Sequence, residues 1–364
     1  MEKILVYGMT DNPGGIESYL ISLLPSFKNK IKLDFVTDFD NIAYKELLKN
    51  YGACIHYIPA KSKGLFAHLK AFKRILKDNP QYKTIYFNIL DAGAAITQLV
   101  PFFMKRKIVT HSHNGNTDKP KLHKICKPLL KITSGSKIAC SQLAAKFMFG
   151  NTKKVTIIKN CVDAQKFRYS FDNSAKAKKD LHLEGKKVIC HIGRLTYQKN
   201  PIALMDIFKE FLSICPEAVL LSVGTGDMEE KTHSYAKEIG IYENVKFLGI
   251  QDNIAQILAA SDVFFLPSLY EGLPIVAIEA QAAGLPLVLS DNITTETDIT
   301  RNIAFISLKE SYNKWAEALL KASLMQKKDT FFDIQKAGYD ISCSAENISK
   351  LEKILLGAQF KEIE

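Results

Sequence analysis

Short apolar runs alternate with longer amphipathic segments along almost the whole of this 364-residue chain. The apolar runs have the length of buried strands, and the amphipathic segments have the spacing of helices. Such alternation is typical of parallel sheets covered by helices. Strands are predicted at 4–7, 33–37, 53–57, 84–87, 107–110, 136–139 and 154–158, and again at 187–193, 218–223, 245–250, 263–266, 285–289 and 304–308. Because ligands of such sheets bind at the carboxyl ends of the strands, residues that follow a strand are the first candidates for function.

The net charge of +11 is distributed unevenly along the chain. Residues 1–165 contain 26 Lys and Arg against 11 Asp and Glu, a net charge of +15, whereas the remaining residues carry −4. Such asymmetry indicates that the first half faces an anionic surface. Nucleic acid is not the expected partner, because the sequence contains no nucleic-acid-binding motif.

Other sequence features exclude several classes of protein. No run of about 18 apolar residues occurs, so no membrane-spanning helix is expected. The first residues read as a strand rather than a signal peptide, because their apolar run is too short. The seven cysteines are scattered without metal-ligand or redox spacing, which favours buried thiols in a reduced, cytoplasmic protein.

The segment 263–284 contains the most specific pattern in the chain. Its apolar start predicts a buried strand, and Pro274 and Gly284 fit the first position and the end of a following helix. Glu279 would then lie on the apolar face of that helix, where an ionised carboxylate is costly unless it is hydrogen-bonded. Either the side chain lies at the edge of this face and reaches solvent, or it is held inward to accept hydroxyl groups of a ligand.

Glu271 lies eight residues before Glu279, in the loop between the strand and the helix. One ligand could therefore contact both carboxylates. Backbone N–H groups at the start of the helix would add positive potential for an anion at the same place, namely those of Gly272, Leu273 and Ile275.

A second pattern lies at 193–201, where a strand ends in a glycine turn before a helix that starts near Pro201. Arg194 and Lys199 stand five residues apart in this turn. Surface Arg and Lys are individually uninformative. At the carboxyl end of a parallel strand, however, they could hold a diphosphate, Arg with its planar fork and Lys as a point charge.

The carboxylate segment resembles the Glu-x7-Glu motif of retaining glycosyltransferases, in particular glycosyltransferase family 4. Glu271 and Glu279 match the two glutamates of the motif, and three neighbouring residues match as well: Gly272, Pro274 and Gly284. The turn with Arg194 and Lys199 resembles the phosphate-binding pair of the same family. The resemblance covers essentially the whole chain, with the motifs in the expected order.

This resemblance implies the GT-B architecture, an α/β fold in which two Rossmann-like domains face a cleft. The expected domains are 1–165, which would hold the acceptor, and 166–343, which would hold a nucleotide sugar. A C-terminal helix at about 344–364 would pack back on the first domain.

The resemblance also implies roles for individual residues. Arg194, Lys199 and the helix start would stabilise the leaving diphosphate by electrostatics, without a metal or another cofactor. Glu279 would accept the ribose hydroxyls, and Glu271 would contact sugar hydroxyls or carry charge near the anomeric carbon. Gln251 marks the loop that would hold uracil. The remaining donor contacts would come from Gly272, Leu273, Pro274 and Ile275.

The loop after the first strand contains Gly14 and Gly15, followed by a predicted helix at 16–27. Such a junction is either an ordinary tight turn or a place where the backbone approaches a phosphate closely. It lacks the Gly-x-Gly-x-x-Gly dinucleotide fingerprint. The sequence 14–17 resembles the first loop of the family, whose glycines lie beside the donor diphosphate.

His111 and His113 follow the strand predicted at 107–110. A metal site is not expected there, because no Cys, Asp or Glu pattern completes it, and a structural histidine is the alternative. The family has a histidine after this strand that faces the donor sugar. His111 is the expected match, and His113 takes that place if the loop register differs.

Asp38 and Asp40 form an Asp-x-Asp sequence, which holds a divalent cation in many glycosyltransferases of a different fold. Here the pair precedes a helix predicted at 41–50, so helix capping is the favoured interpretation.

Two segments of the first half are both basic and amphipathic, 61–77 and 119–131. They are either core-facing helices with a solvated charged face or surfaces whose cationic rim meets anionic lipid headgroups. The charge of the first half allows an anionic membrane surface as the partner of at least one of them.

The resulting prediction is a retaining, metal-independent hexosyltransferase. It would move a hexose or N-acetylhexosamine from a UDP-sugar to a lipid-linked glycan acceptor. The sequences 111–114 and 14–18 resemble the bacterial branch that builds capsular polysaccharides and exopolysaccharides, so the enzyme would be cytoplasmic and peripheral on the inner face of the plasma membrane. The alternatives are a UDP-N-acetylglucosamine 2-epimerase-like isomerase and a non-catalytic GT-B partner subunit.

Overall fold

The structure is a computed structural model that describes residues 1–27 and 30–357. It divides into two compact units, of which the first comprises 1–160 with the residues from 344 onward, and the second comprises 161–343. The division falls after Asn160 rather than after residue 165, because Val162 pairs with Asp340 of the second unit. Residues 358–364, the last part of the predicted C-terminal helix, lie outside the described residues.

A parallel sheet forms the centre of the first unit. Its strands, within the described residues, are β1 (Glu2–Tyr7), β2 (Ile31–Thr37), β3 (Ile55–Tyr57), β4 (Thr84–Ile89), β5 (Lys107–Ser112), β6 (Ser136–Ala139) and β7 (Thr156–Ile157). They lie in the order β3-β2-β1-β4-β5-β6-β7. The order reverses between β1 and β4, and this is the point at which ligands bind in such sheets.

Helices cover both faces of this sheet. They are α1 (Gly15–Phe27), α2 (Lys45–Asn50), α3 (Leu65–Asp78), α4 (Ala95–Phe103), α5 (Pro120–Thr133) and α6 (Gln142–Phe149). Alternate side chains of β1 point to opposite faces: Ile4 belongs to the core beneath α1, and Leu5 belongs to the core beneath α3 and α5. The sheet is therefore buried on both sides, as its nearly continuous apolar strands require.

The second unit repeats the same plan. Its strands are β8 (Lys187–Ile192), β9 (Ala218–Val223), β10 (Val245–Gly249), β11 (Val263–Leu266), β12 (Leu287–Ser290) and β13 (Ile303–Ile306). They are parallel in the order β10-β9-β8-β11-β12-β13, so the order reverses between β8 and β11. Its helices are α7 (Ala164–Phe167), α8 (Phe171–Asp180), α9 (Pro201–Ile214), α10 (Glu229–Glu238), α11 (Ile254–Ala260), α12 (Ile275–Ala282), α13 (Tyr312–Ser323) and α14 (Phe331–Lys336).

The last described helix, α15 (Ser344–Leu356), belongs to the first unit. Leu351, Ile354 and Leu355 are buried in the core that α1 covers. Thr84 of β4 donates a hydrogen bond to the Leu355 carbonyl oxygen (3.1 Å). The first unit is thus built from both ends of the described chain.

Helix capping by the Asp-x-Asp pair is wrong. The helix after β2 begins at Lys45, and Tyr44 rather than an aspartate precedes it. Asp38 instead accepts a hydrogen bond from the Tyr7 hydroxyl (3.4 Å), and exposed Asp40 pairs with Lys63. The helix starts late because Ile42 and Ala43 are buried as part of the core and do not form a helical turn.

Candidate functional site

The switch point of the second sheet brings the two strongest sequence motifs together. β8 pairs with β11, and the loops that follow these strands carry Lys199 and Glu271, which are 72 residues apart in sequence. The loops are joined directly, because the Leu269 N–H donates to the Gln198 carbonyl oxygen (2.8 Å). The Asn200 amide adds a second bond to the Pro267 carbonyl oxygen (3.3 Å). The two motifs therefore share one edge of the sheet.

Lys199 and Glu271 form an ion pair in this edge. Lys199 Nζ lies 2.5 Å from Glu271 Oε1, and both side chains are largely shielded, with 15% and 8% of their surfaces exposed. Gln198 completes the arrangement by donating to Glu271 Oε2 (3.3 Å) and to the Tyr270 carbonyl oxygen (3.0 Å). Both carboxylate oxygens of Glu271 therefore accept hydrogen bonds from the protein. The Lys199 ammonium is largely shielded but keeps some exposure to solvent.

Arg194 lies in the same turn, and its side chain is exposed. Within residues 1–27 and 30–357 it forms no ion pair. Its charge is consequently available to a ligand. The turn is supported from below by Gly224, where φ is +118° and a Cβ would lie 2.3 Å from the Gly193 carbonyl oxygen. Only glycine permits this close packing of the two loops.

α12 starts immediately after the Glu271 loop. Pro274 is the residue before the helix rather than its first position, one residue earlier than predicted, and Ile275 is the first helical residue. The first N–H groups of a helix lack intrahelical partners and favour an anion. Gly284 ends the segment with φ of +72°, where a Cβ would lie 2.4 Å from the Lys328 carbonyl oxygen. The start of α12 and the segment that links it to Glu271 therefore consist of Gly272, Leu273, Pro274 and Ile275.

Glu279 lies one turn further along α12 and is partly buried. Its carboxylate forms no hydrogen bond or ion pair with any residue that the structure describes. Burial raises the pKa of this carboxyl to about 7, although the nearby positive charge of Lys166 lowers it. A carboxylate without donors in a desolvated position is a binding feature rather than a stabilising one, because hydroxyl donors from a ligand would supply what the protein does not.

Gln251 lies apart from this cluster. It follows β10, the edge strand of the sheet, and its exposed side chain donates to the Leu248 carbonyl oxygen in its own loop (2.6 Å). The structure thus places Arg194, Lys199, Glu271, α12 and Glu279 around the switch point and leaves Gln251 on a loop two strands away.

The glycine loop of the first unit follows β1 at the corresponding switch point. Glu17 of α1 is buried beneath it and accepts from the Thr10 N–H (2.8 Å) and the Thr10 hydroxyl (3.0 Å). A Cβ on Gly14 would lie 2.8 Å from Glu17 Oε2. Gly14 is therefore needed for the bracing of the loop by Glu17, and Gly15 begins the helix.

The two histidines differ in environment. His111 is the penultimate residue of β5, is fully buried, and its Nδ1 is 2.6 Å from the Tyr86 hydroxyl. His113 follows the strand, is 9% exposed, and its Nε2 is 2.9 Å from Asn88 Oδ1. The rings lie 4.0 Å apart. His113 rather than His111 thus lies at the carboxyl end of the strand.

Both rings are neutral. Burial lowers the pKa of His111 well below its usual value, and it lowers the pKa of His113 to about 3. In the described structure, His111 Nε2 and His113 Nδ1 have no hydrogen-bond partner. The pair can therefore offer neutral donors or acceptors, but not a positive charge.

Other expectations concern metals, thiols and membranes. In the described part of the chain no group of three or more His, Cys, Asp or Glu side chains is placed to hold a metal ion. All seven cysteines are free thiols. Among the described helices, none has the length and apolar character needed to cross a bilayer.

Sequence reasoning missed the residues that hold the predicted ones in place. Gln198 fixes Glu271, Glu17 braces the glycine loop, and Tyr86 and Asn88 bind the two histidines. Gln198 could have been proposed from the sequence, because it directly precedes Lys199 in the same turn. Tyr86 and Asn88 bind partners from a neighbouring strand, and Glu17 binds Thr10 across the glycine loop, which periodicity alone does not reveal.

The fold defines a class of protein architecture. The structure matches that of Anabaena HepE in complex with UDP-glucose with a TM-score of 0.79 and 20% identity, covering 96% of this chain and 98% of that chain. The architecture is accordingly GT-B, with two Rossmann-like α/β domains, which confirms the fold class predicted from the sequence.

Residues 172–336, which contain all of the second-unit site, match the family model described as "Glycosyl transferases group 1". The protein named "Putative glycosyltransferase EpsF" from Bacillus subtilis is 26% identical over 350 residues, 90% of each chain. The Staphylococcus aureus capsular polysaccharide biosynthesis glycosyltransferase CapH is 25% identical over 314 residues, 84% of this chain and 85% of its own.

A more specifically named relative matches part of the chain. It is the Escherichia coli UDP-Gal:alpha-D-GlcNAc-diphosphoundecaprenol alpha-1,3-galactosyltransferase, 33% identical over 165 residues, 44% of this chain and 42% of its own. Together with the family match and the fold, these similarities support a glycosyltransferase.

Proposed function

We propose that this protein transfers a hexose or N-acetylhexosamine from a UDP-sugar to a lipid-linked glycan, with retention of anomeric configuration. The observation that carries the proposal is the Lys199–Glu271 ion pair at the switch point of the second sheet. Lys199 can leave Glu271 and pair with an anionic ligand. Arg194 forms no ion pair with the described residues, and α12 starts next to the loop that carries Glu271. This combination suits a diphosphate that carries a sugar.

The chemical demand is stabilisation of the departing nucleoside diphosphate. As the bond from the anomeric carbon to the phosphate oxygen breaks, negative charge builds on the diphosphate. Once Lys199 has turned from Glu271 to the bound diphosphate, that charge is stabilised by Arg194, Lys199 and the N–H groups at the start of α12. No further reorganisation is then needed while the bond breaks. In this proposal the site requires no divalent cation, and activity should persist in the presence of a chelator.

Glu279 is proposed to accept the ribose hydroxyls, since it is desolvated and has no protein donor among the described residues. Glu271 loses its cation when Lys199 turns to the diphosphate, and the freed carboxylate can bind sugar hydroxyls or stabilise positive charge near the anomeric carbon. Gln198 would keep it in place during that exchange. Gln251 is proposed to lie near uracil. The proposed donor contacts of the first unit are Gly14, Gly15 and His113.

The names of the relatives support the acceptor class and the role. One is named for a diphosphoundecaprenol-linked sugar and UDP-Gal, and another for capsular polysaccharide biosynthesis. We therefore propose that this chain acts in capsule or exopolysaccharide assembly, in the cytoplasm, on an acceptor anchored in the membrane.

An anionic membrane surface is the proposed partner of α5. This helix buries His123, Cys126 and Leu130 but exposes an apolar ridge that includes Ile125 (75% exposed) and Ile132 (64% exposed). The ridge is flanked by lysines, and the helix contains no acidic residue. An exposed apolar ridge with a cationic rim is what an interfacial helix presents to anionic headgroups. α3 fits the core-facing interpretation better, because it buries Phe72 and Leu76 and its exposed large apolar residues, Leu65 and Phe66, lie only in its first turn.

A donor panel tests the proposal. Purified protein is incubated with UDP- and GDP-hexoses and N-acetylhexosamines, and release of the free nucleotide is measured with and without a chelator. We expect slow hydrolysis of one UDP-sugar and none of the GDP-sugars. Conversion of UDP-N-acetylglucosamine to its 2-epimer, or the absence of any turnover together with no binding of UDP, would contradict it.

A further inference from the structure

We propose that His191, which lies outside both sequence motifs, positions Lys199 and receives its ammonium when a diphosphate draws it away from Glu271. The inference rests on the proposed function, because it concerns the same diphosphate site. It assigns His191 as a positioning residue that acts through Lys199.

His191 is fixed in the strand beneath the site. It is the penultimate residue of β8 and is fully buried. Its Nδ1 lies 3.1 Å from the Phe265 carbonyl oxygen on the neighbouring β11. A carbonyl oxygen can only accept a hydrogen bond, so Nδ1 carries the proton. This bond sets both the tautomer and the orientation of the ring.

The other ring nitrogen is an unused acceptor. Burial, aided by the positive charge of Lys199 and opposed by the hydrogen bond to the Phe265 carbonyl oxygen, lowers the pKa of His191 to about 4, so the ring is neutral near pH 7. With its single proton on Nδ1, Nε2 must present a lone pair. Nε2 is shielded from solvent and has no hydrogen-bond partner among the described residues. A buried acceptor left unpaired costs free energy, which a ligand-dependent partner would offset.

Gly193 lies beside both His191 Nε2 and the side chain of Lys199. The position that a Cβ on Gly193 would occupy lies 3.5 Å from His191 Nε2. The same position lies 3.1 Å from Lys199 Cε and 3.3 Å from Lys199 Cδ. The aliphatic part of Lys199 and His191 Nε2 therefore both adjoin the space above Gly193. A side chain at 193 would separate the two.

A neutral acceptor is well suited to this position. Lys199 is paired with Glu271 and must turn towards a diphosphate when one binds. A carboxylate beneath Lys199 would compete with the diphosphate, and a protonated histidine would repel the ammonium. A neutral imidazole can accept one ammonium N–H while leaving the positive charge available to the ligand.

The test is a double-mutant cycle measured by calorimetric titration with UDP. His191→Phe keeps an aromatic ring and removes the acceptor, and Lys199→Met removes the cation. We expect His191→Phe to weaken UDP binding about tenfold in the wild-type background and to have no further effect in the Lys199→Met background, because contacting residues are energetically coupled. His191→Gln, which retains an acceptor, should recover most of the loss.

Ser222→Ala is the matched control. Ser222 pairs with His191 in the neighbouring strand, and its hydroxyl is also buried with no hydrogen-bond partner in the part of the chain that the structure describes. The position that a Cβ on Gly193 would occupy has His191 Nε2, and no atom of Ser222, among its three nearest neighbours. Its UDP affinity should stay within twofold of wild type. Thermal unfolding checks each variant, and His191→Met replaces His191→Phe if the latter does not fold.

Each failure has a distinct signature. Equal losses from His191→Phe in both backgrounds would show a general structural effect and overturn the inference alone. An unchanged affinity in a folded His191→Phe variant would do the same. If the wild-type protein does not bind UDP, the proposed function fails and this inference fails with it.

Discussion

The two units of this protein have the same strand order around the switch point but different chemistry at the carboxyl edges of their sheets. The second unit presents charges: an exposed Arg194, the Lys199–Glu271 pair and the carboxylate of Glu279. At the end of β5, the first unit instead presents two neutral rings, His111 and His113, bound to Tyr86 and Asn88.

This difference indicates a division of labour within one repeated fold. An ion pair near the surface can exchange one partner for a charged ligand at modest cost, since the protein has already desolvated and oriented both groups. A buried network of neutral rings cannot accept a net charge, but it can recognise hydroxyl and carbonyl groups. The folds alone do not distinguish the units, and the side chains after the strands do.

The largest expected effect follows from removing the exchangeable cation. Lys199→Met should lower kcat/KM for UDP-sugar hydrolysis about 1,000-fold, equivalent to about 4 kcal/mol, because the leaving diphosphate loses its strongest protein charge. The measurement is release of free UDP over a range of donor concentrations. Lys209→Met, an exposed lysine of α9, is the control and should behave as wild type. A Lys199 variant within fivefold of wild type would contradict the assignment of charge chemistry to this edge.

The histidines of the first unit should separate function from stability. His113→Ala should lower kcat about 100-fold and lower Tm less than His111→Ala does, because His113 lies at the end of the strand and is 9% exposed. His111→Ala should instead lower the free energy of unfolding by about 2–4 kcal/mol, because it leaves a cavity and removes one partner of the Tyr86 hydroxyl, which then keeps only the Tyr19 hydroxyl among the described residues. Turnover and thermal unfolding are measured on both. The reverse pattern would restore His111 as the donor-facing residue.

The pH dependence of donor binding should depend on Glu279. Its carboxyl has a pKa of about 7 and is proposed to accept hydroxyl groups when ionised, so affinity for a UDP-sugar should rise about tenfold between pH 6 and pH 8. A UDP-sugar is used because its diphosphate does not titrate in this range. Glu279→Gln should bind weakly and almost independently of pH, whereas Glu317→Gln, at an exposed position of α13, should keep the wild-type profile.

The same carboxyl should affect stability in the opposite direction. Its pKa is higher in the folded protein than the usual 4.5, so the folded state retains a proton that the unfolded state releases as pH rises from 4.5 towards 7. Stability contributed by the neutral form is therefore lost across that range. At pH 8 the free energy of unfolding of Glu279→Gln should be about 1–3 kcal/mol higher than that of wild type, as measured by urea denaturation. Equal stabilities at pH 8 would argue against a desolvated carboxylate.

The smallest effect concerns the outer surface of the first unit. Ile125→Asp should reduce cosedimentation with phosphatidylglycerol vesicles about tenfold at low salt, because it removes about 1–2 kcal/mol of apolar insertion and adds a repelled charge. Hydrolysis of the UDP-sugar in solution should not change. Ile214→Asp, at an exposed isoleucine of the second unit, is the matched control. If the wild-type protein does not bind these vesicles, the proposed membrane partner is contradicted.

The fold was predictable from the sequence because its signals are local. Apolar runs of strand length, and glycine or proline at their ends, predicted the strands and most helices of both units. The approach of Lys199 to Glu271 was implied only by the family resemblance, because their contact depends on the pairing of β8 with β11.

The sequence was less informative where tertiary packing decides the outcome. Asp38 looked like a capping residue, but the burial of Ile42 and Ala43 delays the helix to Lys45. The choice between His111 and His113 depended on where β5 ends, and a shift of one or two residues is beyond what an apolar pattern resolves. His191 is part of an apolar strand and carries no motif, so only its contacts with Phe265 and its position beside Gly193 reveal it.

The packing of α15 determines when the first unit can mature during protein synthesis. Leu351, Ile354 and Leu355 complete the core beneath α1. This core therefore stays incomplete until α15, which follows the whole second unit, has left the ribosome. The second unit, which is continuous from 161 to 343, has all its strands available earlier. A nascent chain stalled before residue 344 would therefore contain a second unit with all of its strands and a first unit whose apolar core is incomplete, which is the species that chaperones would have to protect.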